Sequence, residues 1–398
     1  MHTTHTTDCT VNSRALYVAL ELSKETWKVA LTDGLGRVPR IREVKAGNWQ
    51  ELDAEVQMAK TRFELPADAP IISCYEAGRD GFWIHRWLLT LGWRNHIVDP
   101  ASIEVNRRKR RAKTDMLDAN RIVMALIRFS LGDRHACRMV NTPLPEDEDA
   151  RHLCRELDGL TAERTSHINR IKGLLFAQGV RIEQIGRNFL EWLSVVRTGD
   201  NRPLLPGLRE RVGREFERLQ LVVRQMRHLE QQRARLFRQA LREQGEFPRW
   251  QQMAVLLRSL CGIGAHSAMT LATELFGWRD LKNRREVAAL AGLTPSPWQS
   301  GSSVDEEQGI SKAGRGPLRS LLVEIAWGWI QFQTFTPLST WFITRFANGN
   351  SRQRRIGIVA LARKLLVALW KFVRDGEIPA EAKFTKDQSY FAYTPSLG

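Results

Sequence analysis

The chain has 398 residues, 43% of them hydrophobic and 26% charged, a balance that excludes a disordered or membrane-embedded polypeptide and suits two or three globular domains. Lys and Arg total 60 against 44 Asp and Glu, a net charge of +16, which points to nucleic acid as a partner; the plainer alternative is a solvated basic surface. Cys9, Cys74, Cys137, Cys154 and Cys261 lie far apart with no CxxC pair, which excludes a zinc motif or a disulfide framework and fits a reducing cytoplasm.

Residues 1–14, MHTTHTTDCTVNSR, are polar and lack the apolar segment of a signal peptide. They are expected as a disordered tail, with His2 and His5 part of a frayed terminus rather than a metal site. No run approaches the ~18 apolar residues of a membrane span. Residues 15–145 are expected as a mixed α/β domain. ALYVAL, KVALTD and RVPRIREV read as three strands, the first two joined by a short polar turn. A polar amphipathic stretch over 48–62 follows, then the strand IISCYE, a helix around 82–91 and a strand at 96–98. A second helix carries Asp115, Asp118 and the apolar residues Ile122, Val123, Leu126 and Ile127. NTPLPEDEDA, residues 141–150, is rich in Pro and acid and reads as a hinge.

Four acidic residues of this domain stand out. Glu21 and Glu76 each end an apolar run, and Asp115 and Asp118 are three residues apart, on one face of a helix. Carboxylates collected from strand ends and a helix suit Mg²⁺ or Mn²⁺, which take hard oxygen ligands. Just before the acidic pair come Arg107, Arg108, Lys109, Arg110, Arg111 and Lys113, a patch suited to gripping a phosphate backbone and to offsetting repulsion among the carboxylates.

Residues 146–248 are expected as a helical, strongly charged segment. Leu219, Val222, Met226, Leu229, Leu236 and Ala240 follow a 3-4-3 spacing, with Arg233 at one seam position. Such a seam suits a coiled coil and hence dimerisation, or one long amphipathic helix packed on its own domain. Arg209, Arg211, Arg214, Arg218, Arg224, Arg227, Arg235, Arg238 and Arg242 give the same segment a surface for a duplex backbone. Residues 249–398 are expected as a third, mainly helical domain. LRSLCGIGAHSAMTLATELFG resembles a helix-hairpin-helix, in which Gly262 and Gly264 would let backbone N–H groups approach a phosphate; plain helix packing explains the same turn. The loop LTPSPWQSGSSVDEEQGISKAGRG follows, and helices resume at 318–332 and 356–373. Most of the 13 tryptophans, including Trp87, Trp327 and Trp370, sit at helical core spacing. Trp298, in the loop, is the candidate for stacking on a base.

Together these residues resemble the transposases of the insertion sequence 110 type, over most of the chain. ALELSKETW, YEAGRDG and KTDMLDA look like the family's acid set; GIGAHSA, AALAGLTPSPWQSGSS and GISKAGRGPLRSLLVEIA look like its transposase domain. The resemblance implies a RuvC-like N-terminal domain of RNase H fold and a DNA recombinase of a mobile element, acting at the nucleoid of a prokaryotic cell. It implies Ser300 as the nucleophile, with Ser302 and Ser303 as near alternatives, and Glu21, Glu76, Asp115 and Asp118 as the catalytic metal ligands. Without the family pattern, Ser300 reads as a turn residue before Gly301. Lys312, Arg315 and Arg319 flank that loop and are candidates for steadying the scissile phosphate, although each alone reads as a solvated surface charge. The resemblance also implies DNA, an element-encoded guide RNA, and dimers that join as tetramers on DNA. One departure is Glu21, where the family has Asp: one methylene longer, it changes the reach to a metal, and Asp33 on the next strand is a possible stand-in. The rival readings are a RuvC-like metal-dependent junction endonuclease using water, and a non-catalytic RNA-binding protein.

Overall fold

The computed structural model describes the backbone of residues 14–78, 81–103, 115–242, 247–298 and 306–385, and the side chains there except at 101, 115–118, 242, 296–298 and 306–308. The expected disordered tail at 1–14 therefore falls almost wholly outside the described residues. The chain forms two compact units, one up to Thr142 and one from Pro143 onward.

The first unit is built on a five-stranded sheet. Strand β1 (Leu16–Leu22) turns at Ser23 into β2 (Thr26–Thr32), and β3 (Arg40–Lys45) follows. Helix α1 (Trp49–Arg62) leads to β4 (Ile71–Glu76), α2 (Trp83–Thr90) to β5 (Arg94–Val98), and α3 (Asp115–Ser130) comes last. The sheet order is β3-β2-β1-β4-β5. β2 is antiparallel to both neighbours, whereas β1, β4 and β5 run parallel, as strands joined through crossover helices do. Alternation along the strands divides the two faces. Leu16, Val18, Leu20, Val29, Leu31, Tyr75 and Ile97 pack with Leu52, Val56 and Ala59 of α1 and Ile84 and Leu88 of α2. The opposite face presents Ala19, Ala30, Cys74 and Val98 to Ala119, Ile122, Val123 and Leu126 of α3. Its small side chains let that helix approach closely.

The second unit is mainly helical. The expected hinge at 141–150 contains α4 (Pro145–Asp149), a helical turn with Pro at its start and Glu146, Asp147 and Glu148 in its first turn, both favourable at a helix N-terminus. Helices α5 (His152–Phe176), α6 (Phe189–Val195) and α7 (Pro206–Arg242) follow. Leu157 and Leu160, early in α5, cluster with Val222 and Leu229, late in α7. Ile171 and Leu175, late in α5, cluster with Val212, Phe216 and Leu219. The two helices thus run antiparallel, and the heptad seam read in α7 packs against α5 of the same chain from Leu219 to Leu229, while Leu236 and Ala240 join the core that contains α8. Buried Glu215 ties the pair together, meeting His167 at 2.7 Å and Arg170 at 3.0 Å.

Beyond come α8 (Arg249–Ser259), α9 (Ala265–Leu271) with a π-helical extension at Ala272–Phe276, and α10 (Arg284–Leu290). A two-stranded hairpin, β6 (Pro295–Trp298) and β7 (Glu306–Ile310), precedes α11 (Gly316–Phe332), α12 (Pro337–Phe346) and α13 (Ser351–Asp375). One continuous core joins α8, α9, α11 and α13 through Leu257, Met269, Leu322, Trp329, Leu361 and Leu365. Helix α13 starts earlier than the apolar pattern suggested, because Asn350 and Gln353 close a capping box in front of its basic first turns. Trp370 is buried as expected, but Trp87 and Trp327 are each 41% exposed and lie against Trp49 and Phe342 respectively. Among the described residues no helix is long and apolar enough to cross a membrane.

Candidate functional site

In the first unit, Glu21 is the penultimate residue of β1 and Glu76 the last of β4. The two strands are parallel neighbours in a register that pairs Leu20 with Tyr75, and each glutamate follows its member of that pair. The glutamates thus stand at the same end of the sheet, in step with Ala19 and Cys74 and so on the α3 face. The sulfhydryl of Cys74 approaches the carbonyl of Ile122 in α3 at 4.0 Å, and burial, with Cys137 and then Glu76 adding to it, pushes that thiol well up. Oxygen Oε2 of Glu21 is buried. Helix α3 begins at Asp115, so Asp115 and Asp118 fall in its first turn, while its described side chains start at Ala119. Asp33, the proposed stand-in, follows β2 and meets Arg37 at 3.4 Å. Among the described residues no three His, Cys, Asp or Glu side chains come together as a metal cluster.

The basic run Arg107, Arg108, Lys109, Arg110, Arg111 and Lys113 lies outside the described residues, as do Ser300, Ser302 and Ser303. Trp298 ends β6, its ring outside the described side chains. The stem of the serine loop is described, and its construction explains several motif residues. Gly314 crosses directly over Gly292: a Cβ at Gly314 would strike the backbone of Gly292, Leu290 and Ala291, and one at Gly292 (φ +64°) would meet Gly314 N at 2.8 Å. The crossing is tied by Ser311 N to Thr294 O at 2.8 Å and Arg315 N to Leu290 O at 3.1 Å. Lys312 holds a left-handed φ of +55° in this turn and is exposed, a conformation that strains a residue with a side chain. The guanidinium of Arg319 lies under the crossing, where its Nη1 is buried and would be 2.7 Å from a Cβ on Gly292.

Arg315, a candidate for steadying the scissile phosphate, is paired with a buried carboxylate. Its Nη1 donates to Glu274, whose other oxygen accepts from Arg155 Nε at 2.6 Å. Glu274 is buried and sits in the π-helical extension of α9, a local widening that often marks a functional position. Burial pushes its carboxyl up, but the hydrogen bond from Arg155 and the charges of Arg315 and Arg155 outweigh it and hold the group below its ordinary value. Arg279 and Arg151 stack on Trp278 at 4.0 and 5.1 Å. Burial, then the charges of Arg151 and Arg315, bring Arg279 down to about 10. Arg155, Glu274 and Arg315 border a cleft of about 660 Å³, where His266 also meets Asp158 at 2.9 Å. The amino-acid sequence carries a single signal for this centre, Arg315 beside the glycine-rich run, and none that points to Glu274.

The turn read as a helix-hairpin-helix joins α8 to α9. Gly262 has φ +89°, and a Cβ there would meet Gly328 O at 3.2 Å and Phe332 Cβ at 3.4 Å. The close approach it permits is therefore to α11. Gly264 caps α9 with open space before it. On α7, Arg211, Arg214, Arg218, Arg224, Arg227, Arg235 and Arg238 are exposed, with Arg214 meeting Glu210 and Arg218 meeting Glu215, and Arg209 donates to Leu204 O.

Residues 254–338 match the profile of the Transposase IS116/IS110/IS902 family. A relative from Sinorhizobium fredii, named "Putative transposase y4rJ", is 43% identical over 92% of this chain and 93% of its own length. The chain belongs to this family of transposases. The transposase for insertion sequence element IS1328 of Yersinia enterocolitica is 25% identical over 78% of this chain and 85% of its own length. That for IS1111A of Coxiella burnetii is 22% identical over 77% and 75%. In the present transposase, the matched span takes in Glu274, the Gly292–Gly314 crossing, Arg315 and the serine loop.

Proposed function

We propose that this transposase cuts and rejoins DNA strands through the hydroxyl of Ser300, assisted by a carboxylate site of Glu21, Glu76, Asp115 and Asp118 on an RNase H-like, RuvC-like domain. One observation carries the reading. Glu21 and Glu76 stand at the same end of adjacent parallel strands, on the face covered by the helix whose first turn contains Asp115 and Asp118. The sheet order β3-β2-β1-β4-β5, with β2 antiparallel to its neighbours, supports the RNase H-like assignment. Four carboxylates are the donor class of Mg²⁺ and Mn²⁺, and a divalent ion bound there would offset the lost solvation of the buried Oε2 of Glu21. A divalent ion held there would supply positive charge to phosphodiester oxygens.

In this scheme Ser300 Oγ loses its proton to a base and bonds to the scissile phosphorus. The bond from phosphorus to one sugar oxygen breaks, and that oxygen takes up a proton. The phosphoserine link retains the phosphodiester energy. A second DNA hydroxyl then attacks it, forming the new junction and returning a proton to Ser300. The family resemblance, together with the chain's +16 charge, supports an element-encoded guide RNA. The resemblance also supports dimers that join as tetramers on DNA.

Denaturing gels of reacted, labelled DNA test the serine step. Ser300→Ala is expected to abolish both strand exchange and the covalent protein–DNA adduct. An adduct that survives Ser300→Ala and disappears in Ser302→Ala or Ser303→Ala reassigns the nucleophile. Cleavage with no adduct in the unmodified chain replaces the scheme with hydrolysis. Sequencing RNA that co-purifies with the protein tests the guide: one defined species is expected, and random fragments refute it.

A further inference from the structure

A groove of about 830 Å³ runs between the N-terminal end of α10, the β6–β7 hairpin and one face of α13. Six basic residues line it: Arg284, Arg285, Arg352, Arg355, Arg363 and Lys364, with no acidic residue in the lining. Among the described residues none of these six forms an ion pair, whereas Arg155 and Arg315 are tied to Glu274 and Arg170 and Arg218 to Glu215. Arg284, Arg285, Arg352, Arg355 and Lys364 are exposed. Between them the floor is apolar, formed by Leu293, Pro295, Ile310, Val359 and a 56% exposed Ile356.

The spacing on α13 fits a strand of nucleic acid. Arg352 and Lys364, with Arg355 and Arg363 between them, are about 18 Å apart along the helix axis at a rise of ~1.5 Å per residue. At about 3.4 Å of duplex axis per phosphate of one strand, that length faces roughly five phosphates. Guanidinium groups match phosphate oxygens two at a time, and an apolar floor accepts sugar edges without leaving buried polar groups unmatched. Placement selects the strand. The groove is bordered by Pro295 of β6 and by Gly309 and Ile310 of β7, and the segment joining β6 to β7 contains Ser300.

We propose that this groove binds the backbone of the DNA strand carrying the scissile phosphate and leads it toward the β6–β7 loop. The assignment of that strand rests on the serine reading above; the affinity of the groove for DNA does not.

The test uses the full chain with a fluorescein-labelled DNA duplex and RNA of the same sequence, titrated over a series of salt concentrations. In Arg355→Glu/Arg363→Glu, DNA affinity is expected to fall tenfold or more. The slope of log affinity against log salt is expected to fall by about 0.9 for each phosphate that the variant no longer neutralises. Arg62→Glu/Arg94→Glu, the same charge change at two exposed residues of the other unit, controls for net charge and is expected to lose less. Should the charge-reversed chain melt early, Arg284→Gln/Lys364→Gln probes the same groove more gently. Unchanged DNA affinity and slope in both pairs, or loss confined to RNA, overturns the proposal. The same loss is expected in a Ser300→Ala background, so a failed serine assignment appears in the adduct assay and a failed groove in the binding assay.

Discussion

Gly314 lies against Gly292 so closely that a methyl group has no room at Gly314. Gly314→Ala should therefore force two backbone segments apart and cost about 1–3 kcal/mol, the usual scale of overpacking. Gly159→Ala, on an exposed face in the interior of α5 with open space around it, should cost nothing, because Ala is the better helix former by about 1 kcal/mol. Chemical denaturation of the two variants separates them; equal losses would mean that the crossing does not hold the stem of the loop.

Glu274 is the only carboxylate hydrogen-bonded to both Arg155 and Arg315 among the described residues. Glu274→Gln removes the charge but keeps the shape, leaving guanidinium groups facing one another. The cost is expected at about 2 kcal/mol, below the usual loss for a broken buried pair because the two arginines are 44–45% exposed. The sign with pH follows from the lowered pKa of Glu274. A carboxylate stabilised by folding contributes above its unfolded value, ordinarily 4.5, and loses that contribution as pH falls through the lower folded value. Melting profiles should thus show the wild type and Glu274→Gln converging below pH 4.5, where the wild type loses its advantage. A gap that is constant from neutral to acid pH would contradict this.

Much of the first unit is legible in the sequence because each strand ends its apolar run at a polar or charged residue. Glu21 and Glu76 are readable as strand ends, and Asp115 and Asp118 as one helix face. Sheet order is not readable from such runs, since periodicity gives an element's face but not its neighbour. The same limit explains the α7 seam: Leu219, Val222 and Leu229 announce a buried stripe, and only the fold shows α5 filling it. Trp87 and Trp327 carry the apolar spacing yet are partly exposed, each covered on one side by an aromatic ring from another helix, Trp49 and Phe342 respectively. Arg315 reads as a loop-side cation, but its partner Glu274 is 41 residues away. The groove is less legible still, since its two walls come from α10 and α13 and neither segment alone looks unusual.

The internal packing of the α7 seam has a thermodynamic signature. Leu229→Ala removes a buried side chain between α5 and α7, with an expected loss of about 2–3 kcal/mol. Because the partner helix belongs to the same chain, any dependence of the melting temperature on protein concentration should be the same in the wild type and in Leu229→Ala. A tenfold dilution that lowers the wild-type melting temperature, but not that of Leu229→Ala, would instead assign the seam to a contact between chains.

The carboxylate reading can be examined without DNA. A divalent ion that binds only the folded chain raises its stability by RT ln(1 + [L]/Kd), about 2.7 kcal/mol at a hundredfold excess over Kd. Titrating MgCl₂ or MnCl₂ should raise the melting temperature of the wild type. Glu76→Gln should abolish that rise because an amide is a weaker, uncharged donor at the end of β4. Strand exchange by Glu76→Gln should fall on the order of 10²-fold or more, since metal assistance supplies several kcal/mol of transition-state charge stabilisation. Glu21→Asp should keep both the rise and the activity if the longer side chain already reaches the ion from β1. An equal metal-induced rise in wild type and Glu76→Gln would remove Glu76 from the ligand set, and a gain of activity only in Glu21→Asp would mean that the native residue impairs the site.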